Sequence, residues 1–288
     1  MLASLLRIIL LTATLKILER GLDKGPIILF KTPDDKQVIW RYMNYDKFID
    51  LLEKQALYFF NLLKYRNLGD PQEGDLPEYN KNNLGSGYFL VNRHQATPED
   101  KQKAIRLLEN ILCVNCWGMD KKEVKRKWTE YANSTHSIAI KTSVGNLKKA
   151  LEKCQYEIFM GKILYIDYQT DIYHYPDPFG YSFLKNKFKF DWKHELRLAC
   201  LATDYIRGEN INLGTYDLFR KSCVDQFPMA DYAYVSCDLD FLIEEVIISP
   251  WADDCFLVGV QNKLKSVGLN KVVKKSYYTG KLNEFIRQ

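Results

Sequence analysis

The run His194-Glu-Leu-Arg-Leu-Ala-Cys-Leu-Ala-Thr203 places two charged side chains, Glu195 and Arg197, in a largely apolar stretch. Apolar runs of this length are typical of strands covered on both faces. Because an isolated ionised carboxylate is costly to bury, we expect Glu195 either to meet a cation such as Arg41 or Arg197, or to line a cleft. This pattern leaves open whether Glu195 forms a structural ion pair or belongs to a functional site.

Strand and helix signals follow one another along the chain without regular alternation. A β-prone run at residues 38–43 precedes a helical pattern at 46–57, residues 57–61 again favour a strand, and residues 67–87 are loop-like. Further strand patterns occur at 114–117, 137–142, 162–168, 232–239, 244–249 and near Val272, and helical patterns at 97–112, 120–131, 144–154 and 252–267. Runs of strands interrupted by single helices predict an α+β domain with a mixed, largely antiparallel sheet and flanking helices.

We predict one domain behind an N-terminal extension. Residues 1–36 contain an apolar stretch at 8–15 and a linker rich in Gly, Pro and charge. The apolar stretch is shorter than the roughly 20 residues of a spanning helix, so the sequence predicts no transmembrane segment here. We expect a helix that packs on the domain or docks a partner, with a signal peptide or a membrane-surface helix as alternatives. Residues 37–288 form the single α+β domain.

Composition excludes several classes of protein. The 47% of hydrophobic and 27% of charged residues exclude a disordered chain, a collagen-like repeat and a multi-span membrane protein. The seven cysteines are odd in number and lie mostly in apolar runs, which indicates reduced thiols and a cytoplasmic protein. Cys113 and Cys116 lack a second ligand pair, so we predict no metal, and the P-loop, Rossmann, α/β-hydrolase and zinc-peptidase motifs are missing from the sequence.

Two further patterns supply candidate binding residues. Asp70-Pro-Gln-Glu-Gly74 is a turn in which Asp70 and Glu73 either contact the hydroxyls of a ligand or cap their own backbone. Trp128 and Tyr131 fall on one side of a helix, and Arg41 and Tyr42 end the first strand. Together with Arg197, these are the ligand-binding candidates beside Glu195.

The order of several short motifs resembles a microbial family catalogued as domain of unknown function 2971, over about residues 38–275. The motifs include Trp40-Arg-Tyr42, Asp70-Pro-x-Glu73, Asn115-Cys-Trp117, Trp128-x-x-Tyr131, Lys189-Phe-x-Trp-x-x-Glu-x-Arg197 and Ile247-Ile-Ser-Pro250. The activity of that family is unknown, so this resemblance implies no mechanism.

The chain opens with a polar residue on the first strand and a helix and strand behind it, and it ends with a strand that bears Glu195 followed by an Ile-rich strand. This order of parts is similar to that of ADP-ribosyltransferases of the DNA-modifying toxin kind. This resemblance implies an enzyme that consumes NAD, as a transferase or a glycohydrolase, acting as a toxin or antiphage defence effector on a nucleic-acid or protein acceptor. Glu195 would stabilise the cation formed when nicotinamide leaves, and Arg41 would bind the phosphates or ribose. Tyr42, Trp128 or Tyr131 would stack on nicotinamide.

The alternative is a non-catalytic module that binds nucleic acid or protein. Two basic runs, at residues 121–127 and 185–189, have Phe188, Phe190 and Trp192 in or beside them. Cations interleaved with aromatic rings suit single-stranded nucleic acid. This reading predicts a continuous basic face, although the net charge of +5 is modest.

Overall fold

The computed structural model describes residues 31–68, 71–75, 77–82, 90–91, 94–95, 109–132, 134–173, 178–202 and 229–278. The helix expected within residues 1–36, most of the helix expected at 97–112, and Asp70 lie outside the described residues. No helix of the described part is long and apolar enough to cross a membrane.

Within those ranges the chain forms short strands and helices. The strands are β1 Val38–Asn44, β2 Ala56–Asn61, β3 Leu90–Val91, β4 His94–Gln95, β5 Leu112–Gly118, β6 Ser137–Ser143, β7 Phe159–Lys162, β8 Leu164–Ile166, β9 Leu184–Asn186, β10 Glu195–Leu201, β11 Tyr232–Ser236, β12 Glu245–Ile248 and β13 Val272–Lys275. The helices are α1 Tyr45–Lys54, α2 Leu62–Leu68, α3 Glu78–Asn82, α4 Lys125–Tyr131, α5 Val144–Ala150, α6 Pro178–Tyr181, α7 Lys187–Phe190, α8 Leu239–Leu242 and α9 Asp254–Ser266, with a 3₁₀ turn at Asp191–Lys193.

Most of the described strands belong to one nine-stranded sheet in the order β11-β2-β5-β1-β6-β12-β13, with β10 and then β7 added alongside β5. Its neighbours are antiparallel except for the parallel pair β12 and β13. Strands β8 and β9 form a separate parallel pair. The predicted fold class, α+β with a mixed, largely antiparallel sheet and flanking helices, is therefore confirmed.

The sheet divides along one edge of β5. Strand β10 pairs with the whole of β5, from Glu195 opposite Gly118 to Leu201 opposite Leu112. Because a strand has only two edges, β2 and β1 must share the other one. β2 pairs there with residues 113–114, and β1 only with Gly118. We call the gap between β1 and β2, beside residues 115–117, the sheet split.

One face of the sheet carries the main core. Leu196 and Leu198 of β10 are buried with Phe48, Leu51 and Leu52 of α1. These three helical residues fall at i, i+3 and i+4, the spacing that makes one apolar stripe. The helix begins where the Asn44 side chain accepts a hydrogen bond from the Lys47 amide, and it ends at Gln55 in the left-handed conformation (φ 48°). Residues 195 and 197 alternate with 196 and 198, so they lie on the opposite face.

Three local predictions differ from the structure. Residues 67–87 contain the end of α2 and the short helix α3 rather than loop alone, and the strand expected at 162–168 is divided into β7 and β8. The helix expected at 120–131 forms only as α4. Short elements of this kind depend on tertiary contacts more than on their own periodicity.

Gly74 tests how tightly the turn at residues 71–74 is held. It has φ +63°, and a Cβ placed there would lie 2.6 Å from Leu62 Cδ2. We expect Gly74→Ala to lower the free energy of unfolding by at least about 1–2 kcal/mol, the cost of a left-handed conformation for a side chain. Urea unfolding measures this change.

Gly259 is the matched control, because it lies in α9 with open space around its Cβ position. Gly259→Ala should raise the free energy of unfolding by about 0.5–1 kcal/mol, since alanine is the better helix former. Equal effects of the two substitutions would contradict this account of the turn.

Candidate functional site

Glu195 begins β10 directly after a tight turn. The 3₁₀ turn Asp191–Lys193 leads into His194, which adopts the left-handed conformation (φ 44°). The carbonyl of His194 accepts a hydrogen bond of 2.8 Å from the Met119 amide, and the carbonyl of Glu195 accepts one of 2.9 Å from the Ile163 amide. These backbone hydrogen bonds fix the position of Glu195 independently of the contacts of its side chain.

The Glu195 carboxylate belongs to a set of four buried charged side chains, Glu73, Lys185, Glu195 and Arg197, which we call the buried charge cluster. The Lys185 Nζ atom lies 2.8 Å from Glu195 Oε2 and 3.2 Å from Glu73 Oε2. Arg197 Nη1 lies 2.5 Å from Glu73 Oε1. All four side chains are at most 7% exposed. Two carboxylates and two cations cancel, which is how four charges are accommodated away from water.

The cluster corrects the expected partner of Glu195. Neither Arg41 nor Arg197 forms its direct ion pair; Lys185 does. Arg197 is committed to Glu73, the carbonyl of Ser182 and, at 3.3 Å, the Cys116 Sγ atom. The same contacts assign Glu73 to the cluster rather than to a ligand-facing loop.

The cluster keeps both carboxylates ionised. Burial acts to raise the pKa of Glu195, but the charges of Lys185, Arg197 and Lys193 outweigh it and hold the pKa below its ordinary value. Burial likewise opposes ionisation of Glu73, yet Arg197 and Lys185 lower its pKa to about 2. The two carboxylates in turn overcome the burial of Lys185 and raise the pKa of that amine.

Tyrosines border the Glu195 carboxylate. The Tyr165 hydroxyl accepts a hydrogen bond of 3.1 Å from the Glu195 amide. Burial, and then the negative charge of Glu195, raise the pKa of both Tyr131 and Tyr165, so both hydroxyls stay protonated at neutral pH. Tyr131 keeps 39% exposure. Within the described residues, the ion pair of Glu195 with Lys185 uses the carboxylate oxygen Oε2, and the second oxygen, Oε1, forms none.

Arg41 lies in the sheet split. Its Nη1 atom donates 2.8 Å hydrogen bonds to Asn115 Oδ1 and to the carbonyl of Cys116, and its guanidinium carbon lies 5.9 Å from the centre of the Trp117 ring. Within the described residues no carboxylate forms an ion pair with Arg41. Burial lowers the pKa of Arg41.

A second cation stands near Arg41. Burial, and then the positive charge of Arg41, lower the pKa of Lys47, which lies on α1. Two neighbouring cations that repel each other, with no carboxylate from the described part of the chain between them, form a positively charged corner at the sheet split. Such a corner attracts anions.

Arg41 and Glu195 do not touch. They belong to β1 and β10, which lie on opposite sides of β5. Because side chains alternate between the two faces along a strand, those of Arg41 and Glu195 leave the sheet on opposite faces. Two strand spacings amount to about 10 Å. Residues 115–117 of β5, which pair with β10 but with neither β1 nor β2, lie between them.

Tyr42 and Trp128 are packed against each other rather than towards a ligand. Their ring centres are 5.0 Å apart with an interplanar angle of 86°, and both side chains are buried. The Tyr42 hydroxyl accepts a hydrogen bond from the Val124 amide, and the Trp128 indole donates to Glu123 Oε2. They form a small core with Trp40, Ala139 and Ile247.

Cations and rings meet on the surface beside Glu195. The Arg126 guanidinium lies 3.8 Å from the centre of the Trp192 ring, and Lys193 Nζ lies 4.9 to 5.7 Å from the rings of Phe190, Tyr131 and Trp192. We call these five residues the ring-and-cation patch. Of the cations in the two basic runs only Arg126 belongs to it, and two of the lysines are not on the surface, because Lys127 is buried against Asp120 and Lys185 lies in the charge cluster. The expected basic face is therefore interrupted.

Of the predicted site residues, the structure joins Glu73, Glu195 and Arg197 and sets Tyr131 beside them. Arg41 lies across β5, Tyr42 and Trp128 lie in a separate core, and Asp70 is outside the described residues. Sequence reasoning missed Lys185 as a partner, although it follows Phe183-Leu184 as a charge within an apolar run, the signal that singled out Glu195. Lys47 carried no such signal.

No group of three or more His, Cys, Asp or Glu side chains in the described residues is placed to hold a metal ion. The thiols of Cys113 and Cys116 start from opposite faces of β5, since the two residues are three positions apart on a strand.

No family model matches the chain, and no curated protein matches it. The resemblance to domain of unknown function 2971 therefore stays a prediction from motifs. A matching solved structure is DarT from Thermus sp. 2.9 in complex with carba-NAD+, which covers 85% of this chain and 97% of that chain at 10% identity and a TM-score of 0.32. A TM-score this low supports no conclusion about a shared fold or function.

Glu73 should make stability depend on pH in a defined window. Its pKa of about 2 lies below the ordinary value of 4.5, so its stabilisation is complete above about pH 4.5 and is lost as the pH falls towards 2. We expect Glu73→Gln to lower the free energy of unfolding by about 3–5 kcal/mol at pH 7, because it leaves Arg197 buried without its carboxylate. The difference from wild type should shrink on acidification, as urea unfolding at stepped pH would show.

Glu53→Gln is the control. Glu53 pairs with Lys263 at 2.9 Å but is 59% exposed, so its replacement should change the free energy of unfolding by less than about 1 kcal/mol. An effect of Glu73→Gln that stays constant from pH 7 to the acid range would contradict the ionised cluster.

Proposed function

We propose that the chain is an NAD-consuming enzyme of the ADP-ribosyltransferase-like kind, cleaving the bond between nicotinamide and ribose. The observation that carries the proposal is that two unlike groups lie on either side of β5, beside its residues 115–117. Arg41 is a half-buried guanidinium without a carboxylate partner among the described residues, and Glu195 is a buried carboxylate with one oxygen left open. NAD carries a diphosphate and, at its reacting end, a ribose that becomes cationic.

Arg41 and Lys47 suit the diphosphate. Burying a guanidinium is costly unless an anion compensates it. Contacts to protein use only Nη1 among the described residues, so Nη2 and Nε can form a two-point contact with phosphate oxygens. Lys47 adds a second positive charge from α1.

Glu195 suits the cationic ribose. As the C–N bond breaks, its electron pair goes to the nicotinamide nitrogen, which loses its positive charge, while positive charge develops on the ribose. A carboxylate that is already ionised stabilises that charge without having to lose a proton first. The nucleophile, a group on an acceptor or a water molecule, then bonds to the ribose carbon and gives up a proton. The open Glu195 Oε1 beside the exposed edge of Tyr131 is where we place the ribose.

Glu195→Gln should strongly slow nicotinamide release from NAD. The amide keeps the size of the side chain but removes the charge that stabilises the ribose cation, so we expect kcat to fall by about 10²–10³-fold. Mass spectrometry of purified protein incubated with NAD, with and without DNA, RNA or cell lysate, measures the release. Glu245→Gln is the control, because Glu245 pairs with Lys141 and Lys274 on β6 and β13, away from the site.

Arg41→Met separates binding from chemistry in the same assay. It should raise KM for NAD by about 10- to 100-fold, the loss expected for hydrogen bonds to a charged group, with a smaller change in kcat. Absence of nicotinamide release from folded wild-type protein with every acceptor would refute the proposed activity, as would full activity in Glu195→Gln.

A second candidate function, binding of single-stranded nucleic acid, is favoured by the ring-and-cation patch. Stacked Arg126 and Trp192, with Lys193 among three rings, provide both π-faces for bases and cations for phosphates. The patch borders Glu195, because the charge of Lys193 acts on that carboxylate. This function is compatible with the first if the nucleic acid is the acceptor.

Trp192→Ala should weaken binding of a labelled single-stranded oligonucleotide by about 1–3 kcal/mol, the usual contribution of one stacked base, and wild-type binding should fall as salt rises. Fluorescence anisotropy at two salt concentrations measures both. Phe241→Ala is the control, since Phe241 is exposed beside Lys149 in α5, a ring–cation pair elsewhere on the surface. Equal binding by wild type and Trp192→Ala would exclude the ring-and-cation patch as the oligonucleotide-binding site.

A further inference from the structure

We propose that Lys185 is the positioning residue of the candidate site, holding one oxygen of the Glu195 carboxylate so that the other faces the reacting group. This inference rests on the proposed function for its chemical meaning. Its physical content, that Lys185 sets the ionisation and orientation of Glu195, can be tested without any reaction.

Lys185 reaches Glu195 from outside the nine-stranded sheet. It lies on β9, which pairs in parallel with β8, and β8 follows β7, the strand next to β10. The side chain is 5% exposed, and its Nζ atom bridges Glu195 Oε2 at 2.8 Å and Glu73 Oε2 at 3.2 Å. A lysine shared between two carboxylates is held from two directions and fixes both.

Glu73 determines how Lys185 is shared, and its own position is fixed by Arg66. The Arg66 Nε atom donates a 2.7 Å hydrogen bond to the carbonyl of Glu73, and Nη2 donates one of 2.8 Å to that of Gly74. Arg197 holds the far oxygen of Glu73 at 2.5 Å. A continuous series of contacts therefore runs from α2 through the turn to Lys185 and ends at Glu195.

Lys185 is the cation in direct contact with Glu195, but other charged or titratable groups face that carboxylate or its partners. They come from every element packed around it: Arg197 on β10, Lys193 in the 3₁₀ turn, Tyr131 on α4, Tyr165 on β8, Cys116 on β5 and Glu73 in the turn at residues 71–74. Lys185 exerts the largest charge effect on Glu195. Removing it leaves the buried carboxylate with only more distant cations, whereas removing the charge of Glu73 leaves both cations acting on Glu195.

The experiment is an NMR titration of side-chain carboxyl groups in full-length protein labelled with ¹³C at the glutamate carboxyl carbon. The signal that disappears in Glu195→Gln identifies Glu195. Lys185→Met should raise its titration midpoint by about 1–3 pH units, the usual effect of losing an opposite charge at contact distance. Lys185→Arg, which keeps the charge, should hold the midpoint closer to that of wild type, and Glu73→Gln should move it downward.

Lys274→Met is the matched control. Lys274 pairs with a glutamate, Glu245, at 3.1 Å on another part of the sheet, so its loss should leave the Glu195 midpoint unchanged. If Lys185→Met does not fold, Lys185→Gln takes its place with the same expected direction. An unchanged midpoint in a folded Lys185 variant, or an upward shift in Glu73→Gln, would overturn the proposal.

The NAD assay separates this proposal from the proposed function. If both hold, the acid side of the kcat–pH profile in Lys185→Met moves upward together with the carboxyl midpoint, and Lys185→Arg restores it. If Lys185→Met shifts the Glu195 midpoint but wild-type protein releases no nicotinamide, the role of Lys185 is supported and the proposed activity is refuted. If wild-type protein releases nicotinamide but Lys185→Met leaves the Glu195 midpoint unchanged, the activity is supported and the role of Lys185 is refuted.

Discussion

The requirement that a buried carboxylate have a counter-charge organises this structure around Glu195. The charge lies on a strand covered on both sides, where an unpaired ion would destabilise the fold strongly. Lys185 provides the counter-charge, but it also contacts Glu73, and Glu73 in turn binds Arg197. Four side chains from a turn and two strands are thereby locked together, and each depends on the other three for its own burial.

The division of the sheet along β5 is the second feature on which the candidate site depends. Because β10 occupies one edge of β5 throughout, β1 and β2 must share the other edge and cannot both pair along its length. Residues 115–117 are left between them, and the Arg41 guanidinium enters there. A cation that forms no ion pair with a carboxylate of the described residues and an ionised carboxylate consequently stand on the two sides of a single strand, and the proposed function rests on this arrangement.

Local pattern predicted several parts of this arrangement and missed others for physical reasons. The apolar run at residues 194–203 indicated both β10 and the anomaly of Glu195, because a charge among apolar neighbours is visible without knowing its partner. The partner that the structure supplies is neither of the two arginines named as examples but a lysine on β9, whose place in a basic run favours a surface position. Tyr42 and Trp128, chosen for their rings, pack on one another at 5.0 Å, a choice between core and ligand that ring type alone does not settle.

The amino-acid sequence by itself determined the fold class, most of the strand positions and the requirement that Glu195 either meets a cation or lines a cleft. These properties follow from periodicity, caps and the cost of burying charge, all of which act over a few residues. Only the tertiary structure decided which cation meets Glu195, that Glu73 contacts the same cation, and that the Arg41 guanidinium lies in the sheet split. Those outcomes depend on how separate elements pack: Glu73 meets Lys185 from the turn at residues 71–74, Arg41 meets Cys116 across two strands, and Lys185 meets Glu195 from another strand although the two are close in sequence. No local pattern carries information about contacts between separate elements.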